Sequence, residues 1–279
     1  DLLDEAGAAN SMSADPLKRI PADYVENLAA EMFHLPKNQL TGDDVSKLQS
    51  LESELRGAVI GQDHAIAAVV QAIKLSRAGL ANTEKPVGSF LFAGPTGVGK
   101  TELSKRLASA LGIELIRFDM SEYAEEYAVS KLIGSSPGYV GFEQGGLLTE
   151  QIIRHPHCVL LLDEMEKAHP KIYDLMLQIM DYGAMTDNAG RKADFRNVIV
   201  IMTSNVGAKS LSEHAIGFNA QDQTGSRVDA AIRKHFSPEF RNRLDGIIHF
   251  HPLTPDSIRR IVQKFLAEAS ARLASRKLH

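Results

Sequence analysis

The chain has 279 residues, 44% hydrophobic and 24% charged, the proportions of a globular protein with room for one large domain and appendages. A net charge of -4 gives no general pull toward nucleic acid or an acidic membrane, and apolar runs such as Val159 to Leu162 fall far short of the roughly 20 residues that span a bilayer. One cysteine, Cys158, leaves no internal disulfide and fits a reducing, cytoplasmic setting; it opens an apolar run and reads as a buried thiol.

Asp1 to Glu5 are acidic and lack both an initiator Met and a basic stretch, so the start reads as an excerpt of a longer chain and not as a signal peptide. Residues 1–10 read as the end of a helix. Residues 11–55 read as a linker around Pro16 followed by accessory helices, one from Pro21 to Phe33 and one over Asp43 to Leu55, with Val45, Leu48, Leu51 and Leu55 at helical spacing. Over residues 56–251 strand-like runs alternate with helical stretches: Val87 to Ala93, Ile113 to Phe118, Cys158 to Leu162, Val198 to Met202 and Ile247 to Phe250. Such alternation predicts an α/β domain, a mostly parallel sheet with helices on both faces. Residues 252–279 begin a new helix at Thr254-Pro255-Asp256 with no partner left to pack on, which reads as the start of a truncated helical domain.

The chemistry starts at the end of the first strand. Gly94-Pro95-Thr96-Gly97-Val98-Gly99-Lys100-Thr101 fits G-x-x-x-x-G-K-[ST], with a strand before it and a helix carrying Leu103, Leu107 and Leu111 after it. Glycines turn backbone N–H groups inward around phosphate oxygens, Lys100 supplies charge to the β- and γ-phosphates of ATP, and the Thr101 hydroxyl ligates Mg²⁺. A second strand, VLLLDE, ends in Asp163, placed to hold Mg²⁺, and Glu164, placed to orient or deprotonate the attacking water. The strand NVIVIMTSN ends at Asn205, whose amide suits fixing that water against the γ-phosphate.

GPTGVGKTE, FDMSEY, PGYVGFEQGG, LLLDEMEKAH, GRKADFRNVIVIMTSN and SPEFRNRLD follow, in this order, the pattern of the second ATPase module of Clp/Hsp100 AAA+ unfoldases, in wording nearest the ClpA branch. The resemblance covers nearly the whole chain. It implies a P-loop AAA+ large domain with a small helical lid, a homo-hexameric ring, and ATP-driven unfolding and translocation of polypeptide. It also implies that Val59, Ile60 and Gln62 cradle adenine, and that Arg243 is an arginine finger reaching a neighbouring subunit's γ-phosphate. Tyr139 and Val140, set among Pro137, Gly138 and Gly141, then line the pore and grip unfolded polypeptide by apolar and aromatic contact. The acidic stretch Glu122 to Tyr127 reads either as a secondary pore loop or as a solvated face; Glu126 and Tyr127 depart from the basic residue and histidine that relatives often carry there.

Ile216, Gly217 and Phe218, in a polar region over 207–227, resemble the loop by which ATPases of this family dock on the ClpP peptidase. A ClpB-type disaggregase without a peptidase partner is the alternative within the family. A nucleic-acid motor is a third reading, opposed by the net charge and the aromatic loop, so neither nucleic acid nor membrane is expected as a partner. His155-Pro156-His157 is too short and isolated to suggest a metal site.

Overall fold

The computed structural model describes residues 7–8, 11–12, 44–77, 84–134, 145–207 and 220–275. The helix expected over Pro21 to Phe33, the Tyr139 and Val140 loop, and the Ile216, Gly217 and Phe218 stretch lie outside the described residues.

Helices α1 (Asp44–Ala58) and α2 (Asp63–Leu75) precede strand β1 (Gly88–Ala93), and α3 (Lys100–Leu111) leads into β2 (Glu114–Asp119). Next come α4 (Glu126–Ile133), α5 (Leu147–Arg154) and β3 (Cys158–Asp163). Helix α6 (Pro170–Tyr182) is followed by β4 (Ala184–Thr186), β5 (Lys192–Asp194) and β6 (Ile199–Ser204). The rest is α7 (Ala220–His235), α8 (Pro238–Arg243), β7 (Gly246–His249) and α9 (Pro255–Ser275).

Five strands form one parallel sheet in the spatial order β2, β3, β6, β1, β7. Every residue of β1, β3 and β6 is buried, which explains their unbroken apolar runs: both faces of the sheet are covered. Alternate residues serve different layers. Phe90, Phe92, Val159, Leu161, Ile199 and Ile201 pack with α1, α2 and α3, whereas Leu91, Leu160, Leu162, Val200 and Met202 pack with α4 to α8. Cys158 lies wholly in the second layer, and burial pushes its thiol up to about 12, so it is an inert core group.

Three features depart from the sequence expectation. Strands β4 and β5 pair antiparallel as a hairpin, Met185 opposite Ala193, which the apolar pattern does not announce because each strand has three residues and only its middle one is buried. The polar 207–227 stretch, to which the sequence pattern assigns no element, turns helical from Ala220. Finally, α9 does have a partner: Ile261, Lys264 and Phe265 lie across a cleft from Val59 and Ile60, and Lys264 Nζ donates to the Ala58 carbonyl at 2.7 Å. In the acidic stretch, Tyr123 is buried, while Tyr127 is exposed and Glu126 pairs with Lys171.

Candidate functional site

The sheet register sets the site. Ala93 of β1 stands level with Ser204 of β6, and Leu162 of β3 stands level with Met202, so Gly94, Asn205 and Asp163 leave adjacent strand ends on one edge. In the sequence the Asp163 strand comes between the other two; in the sheet β6 does. Asn205 is thereby placed between the phosphate loop and the two acids, the crevice outside the carboxyl ends of the strands where open α/β sheets bind ligands.

Gly99 starts α3 with φ +108, a backbone conformation that a side chain would strain, and this turn aims the first helical N–H groups into the loop. The ammonium of Lys100, 7% exposed, donates to the carbonyls of Gly94 at 2.6 Å and Pro95 at 2.8 Å, and to Asn205 Oδ1 at 2.7 Å. Burial pushes its pKa down to about 8, against the attraction of Glu166, Asp163 and Glu164, so it remains largely cationic at neutral pH. Thr96 and Gly97 are open to solvent at the crest of the loop, whereas Val98 packs into the core.

Asp163 is buried and crowded with donors. Thr101 Oγ1 lies 3.2 Å from Oδ2, the Arg117 guanidinium reaches the same oxygen at 2.8 Å, and Thr203 Oγ1 donates to Oδ1. Thr203 also accepts the Glu164 N–H at 3.0 Å. That bond holds Glu164 at φ 59, the single non-glycine residue with positive φ among the described residues. Left-handed backbone at a non-glycine residue costs about 1–3 kcal/mol, and such strain collects at functional sites where surrounding contacts enforce it. The Glu164 carboxylate pairs with Lys167 at 2.5 Å, and Glu166 accepts the Asn205 N–H at 3.1 Å. Sequence reasoning missed Arg117, Thr203 and Glu166. Arg117 had a visible signal, a lone cation inside an apolar strand.

A cleft of about 240 Å³ opens beside the loop, lined by Val59, Ile60, Gly97, Val98 and Gly99 on one side and Leu253, Ile261 and Phe265 on the other. It is mostly apolar and close to the phosphate loop, as a flat base requires. Gln62, grouped with Val59 and Ile60 as adenine-binding, does not line this cleft. It is 2% exposed, its Nε2 donates to the carbonyls of Val98 and His251, and its Oε1 accepts the His251 N–H. The amide is spent on backbone groups, so Gln62 braces the cleft. Arg243 ends α8 and lies 2.5 Å from Asp181 of α6, an ion pair without hydrogen-bond alignment, while Arg241 caps Phe236 O at 3.2 Å.

Residues 85–247 match the AAA domain family, Cdc48 subfamily. A ClpA homolog protein of Fuscovulum blasticum is 52% identical across the whole chain, and chaperone protein ClpB 1 of Thermosynechococcus vestitus is 49% identical over 92% of it. The chain spans 35% and 30% of those two relatives, about one third of their length. Among solved structures, a closed-state cryo-EM reconstruction of Hsp104 with ATPyS and FITC casein superposes with a TM-score of 0.80 at 42% identity, covering 98% of this chain and 47% of that one. Among the described residues no helix is long and apolar enough to cross a membrane.

Proposed function

The chain belongs to the AAA domain family of ATPases, Cdc48 subfamily, and on that footing we propose that it drives ATP-dependent unfolding and translocation of polypeptide through a homo-hexameric ring, feeding a ClpP-type peptidase. The observation that carries the motor reading is the meeting of Lys100, Asn205, Asp163 and Glu164 at the ends of three neighbouring strands. Around ATP, the N–H groups of residues 96–99 and Lys100 hold the phosphates, and Val59 and Ile60 face the base.

Thr101 and Asp163 offer a hydroxyl and a carboxylate 3.2 Å apart, a hard-oxygen donor pair that fits Mg²⁺. Bound there, the ion neutralises phosphate charge. Glu164 then takes a proton from the attacking water, Asn205 fixes that water, and Arg243 of an adjacent subunit meets the γ-phosphate.

Tyr139 and Val140 grip the polypeptide. Tyr139→Ala is expected to reduce unfolding of a stable tagged protein by at least about tenfold, the loss of an aromatic contact with the polypeptide, while ATP turnover of the assembled ring continues. Unfolding at the parental rate overturns the grip reading of Tyr139.

A ClpB-type disaggregase is the second reading, favoured by the ClpB and Hsp104 likenesses. Deleting Ile216, Gly217 and Phe218 separates the two: the peptidase reading expects loss of ClpP-dependent degradation with ATP hydrolysis spared. Degradation unchanged by the deletion overturns the docking role of this stretch, and no detectable degradation with the parent favours the disaggregase.

A further inference from the structure

The hairpin turn between β4 and β5 grips both ends of the 135–144 segment. Asn188 donates its backbone N–H to Ile133 O at 3.0 Å and its side-chain Nδ2–H to Gly134 O at 2.7 Å. On the far side, the Asp187 carboxylate, whose side chain is fully buried, accepts the Gly146 N–H at 3.1 Å. The same carboxylate accepts the Arg191 N–H at 2.8 Å and Arg191 Nε–H at 3.0 Å. The guanidinium so held covers Gly145 closely enough that a Cβ there would meet Arg191 Nη2 at 1.5 Å.

The two ends also touch each other. A Cβ on Gly146 would stand 2.5 Å from Leu132 O, and one on Gly134 would stand 3.3 Å from Gly145 C. Glycines at 134, 145 and 146 therefore permit a closed stem, and Asp187 caps the N-terminus of α5 from another part of the chain. Burial by itself would raise the Asp187 carboxyl, but the Gly146 and Arg191 N–H groups outweigh it and hold the group below its usual range.

The hairpin runs directly into the nucleotide site. From β5 the chain passes through Phe195, fully buried and tied by its N–H to Gly183 O at 2.7 Å, into β6, whose end carries Thr203 beside Asp163 and is followed by Asn205 beside Lys100. Helix α5, which starts at the clamped Gly146, leads into β3 and so to Asp163 and Glu164.

We propose that Asp187, Asn188 and Arg191 form a clamp that positions Gly134 and Gly146, the two described ends of the 135–144 segment, and ties them to β6 and β3, so that substrate unfolding depends on these fixed hydrogen bonds. The proposal rests on the reading of Tyr139 and Val140 as the polypeptide grip. The three residues are positioning residues; none of their contacts described above reaches the phosphate loop.

The test uses the full-length protein assembled with ATP, with three readouts: basal ATP turnover, unfolding of a stable tagged substrate, and amide hydrogen exchange of peptides containing Gly146. Asp187→Ala is expected to leave basal turnover within about twofold, speed Gly146 exchange by about tenfold or more, and slow unfolding by a similar factor, the loss of a buried charge-assisted hydrogen bond. Asp187→Asn, which keeps an acceptor for Gly146, is expected to recover part of both. If Asp187→Ala does not fold, Asn188→Ala, which removes the Gly134 bond, carries the test with the same expected pattern at smaller size.

Unchanged Gly146 exchange in a folded Asp187→Ala overturns the clamp. Faster exchange with parental unfolding overturns its coupling to the loop. Parental unfolding by Tyr139→Ala, with Gly146 exchange still accelerated in Asp187→Ala, overturns the grip reading instead and leaves the stem clamp standing.

Discussion

Arg243→Ala is expected to lower ATP turnover of the assembled ring by a factor of about 10³ to 10⁵, the range in which an arginine finger acts on phosphoryl transfer. Within its own chain Arg243 pairs with Asp181 on α6, so its guanidinium is charge-balanced at the domain surface and is 35% exposed. To meet a phosphate it must leave that carboxylate for a more strongly anionic partner, a change that suits the fork geometry of a guanidinium. Nucleotide affinity is expected to change little, since the finger acts on charge that develops during transfer. The sharper measurement mixes subunits. Arg243→Ala subunits assembled with Glu164→Gln subunits should regain turnover, because some interfaces then combine an intact Glu164 with an intact Arg243 from the neighbour. A mixed ring as inactive as either parent variant would place Arg243 in its own subunit's site or outside the chemistry.

Glu164→Gln is expected to leave ATP bound with hydrolysis reduced about 10² to 10⁴-fold, the contribution of a general base. The substitution keeps side-chain length and leaves Thr101, Asp163, Lys100 and Asn205 in their contacts, so the phosphate cradle is undisturbed. What it removes is the proton acceptor, and with it the ion pair to Lys167. The strained backbone at residue 164 is enforced by Thr203 and by the strand end, not by the carboxylate, so Gln is expected to sit in the same place. Binding of a fluorescent ATP analogue, measured beside phosphate release, separates the two effects. Parental phosphate release from a ring that binds nucleotide normally would remove Glu164 from the role of base.

Some of this architecture is carried by short stretches of the chain. The phosphate loop is legible because its glycines, Lys100 and Thr101 lie within eight consecutive residues between a strand and a helix, and the backbone turn they impose is local. The three central strands are legible because a strand buried on both faces needs an unbroken apolar run, and β1, β3 and β6 supply one each. Asp163 and Glu164 follow as the first polar residues past the β3 run, and Asn205 closes the polar Thr203-Ser204-Asn205 that follows the β6 run.

Other features depend on contacts between distant residues, which no local pattern encodes. Placement of β6 between β1 and β3 sets Asn205 against Lys100 across 105 positions of sequence. Gln62 follows an apolar turn, yet its amide is satisfied by His251, 189 residues away, because a buried amide must find partners wherever the fold brings carbonyls. Arg117 on Asp163, Asp181 beside Arg243, α9 across the cleft and Asp187 on Gly146 are of the same kind. The chain alone states which side chains can do phosphate chemistry. Packing fixes which polar groups are spent on holding the fold and which are left to act, since a group that is buried must first satisfy its own hydrogen bonds and charge.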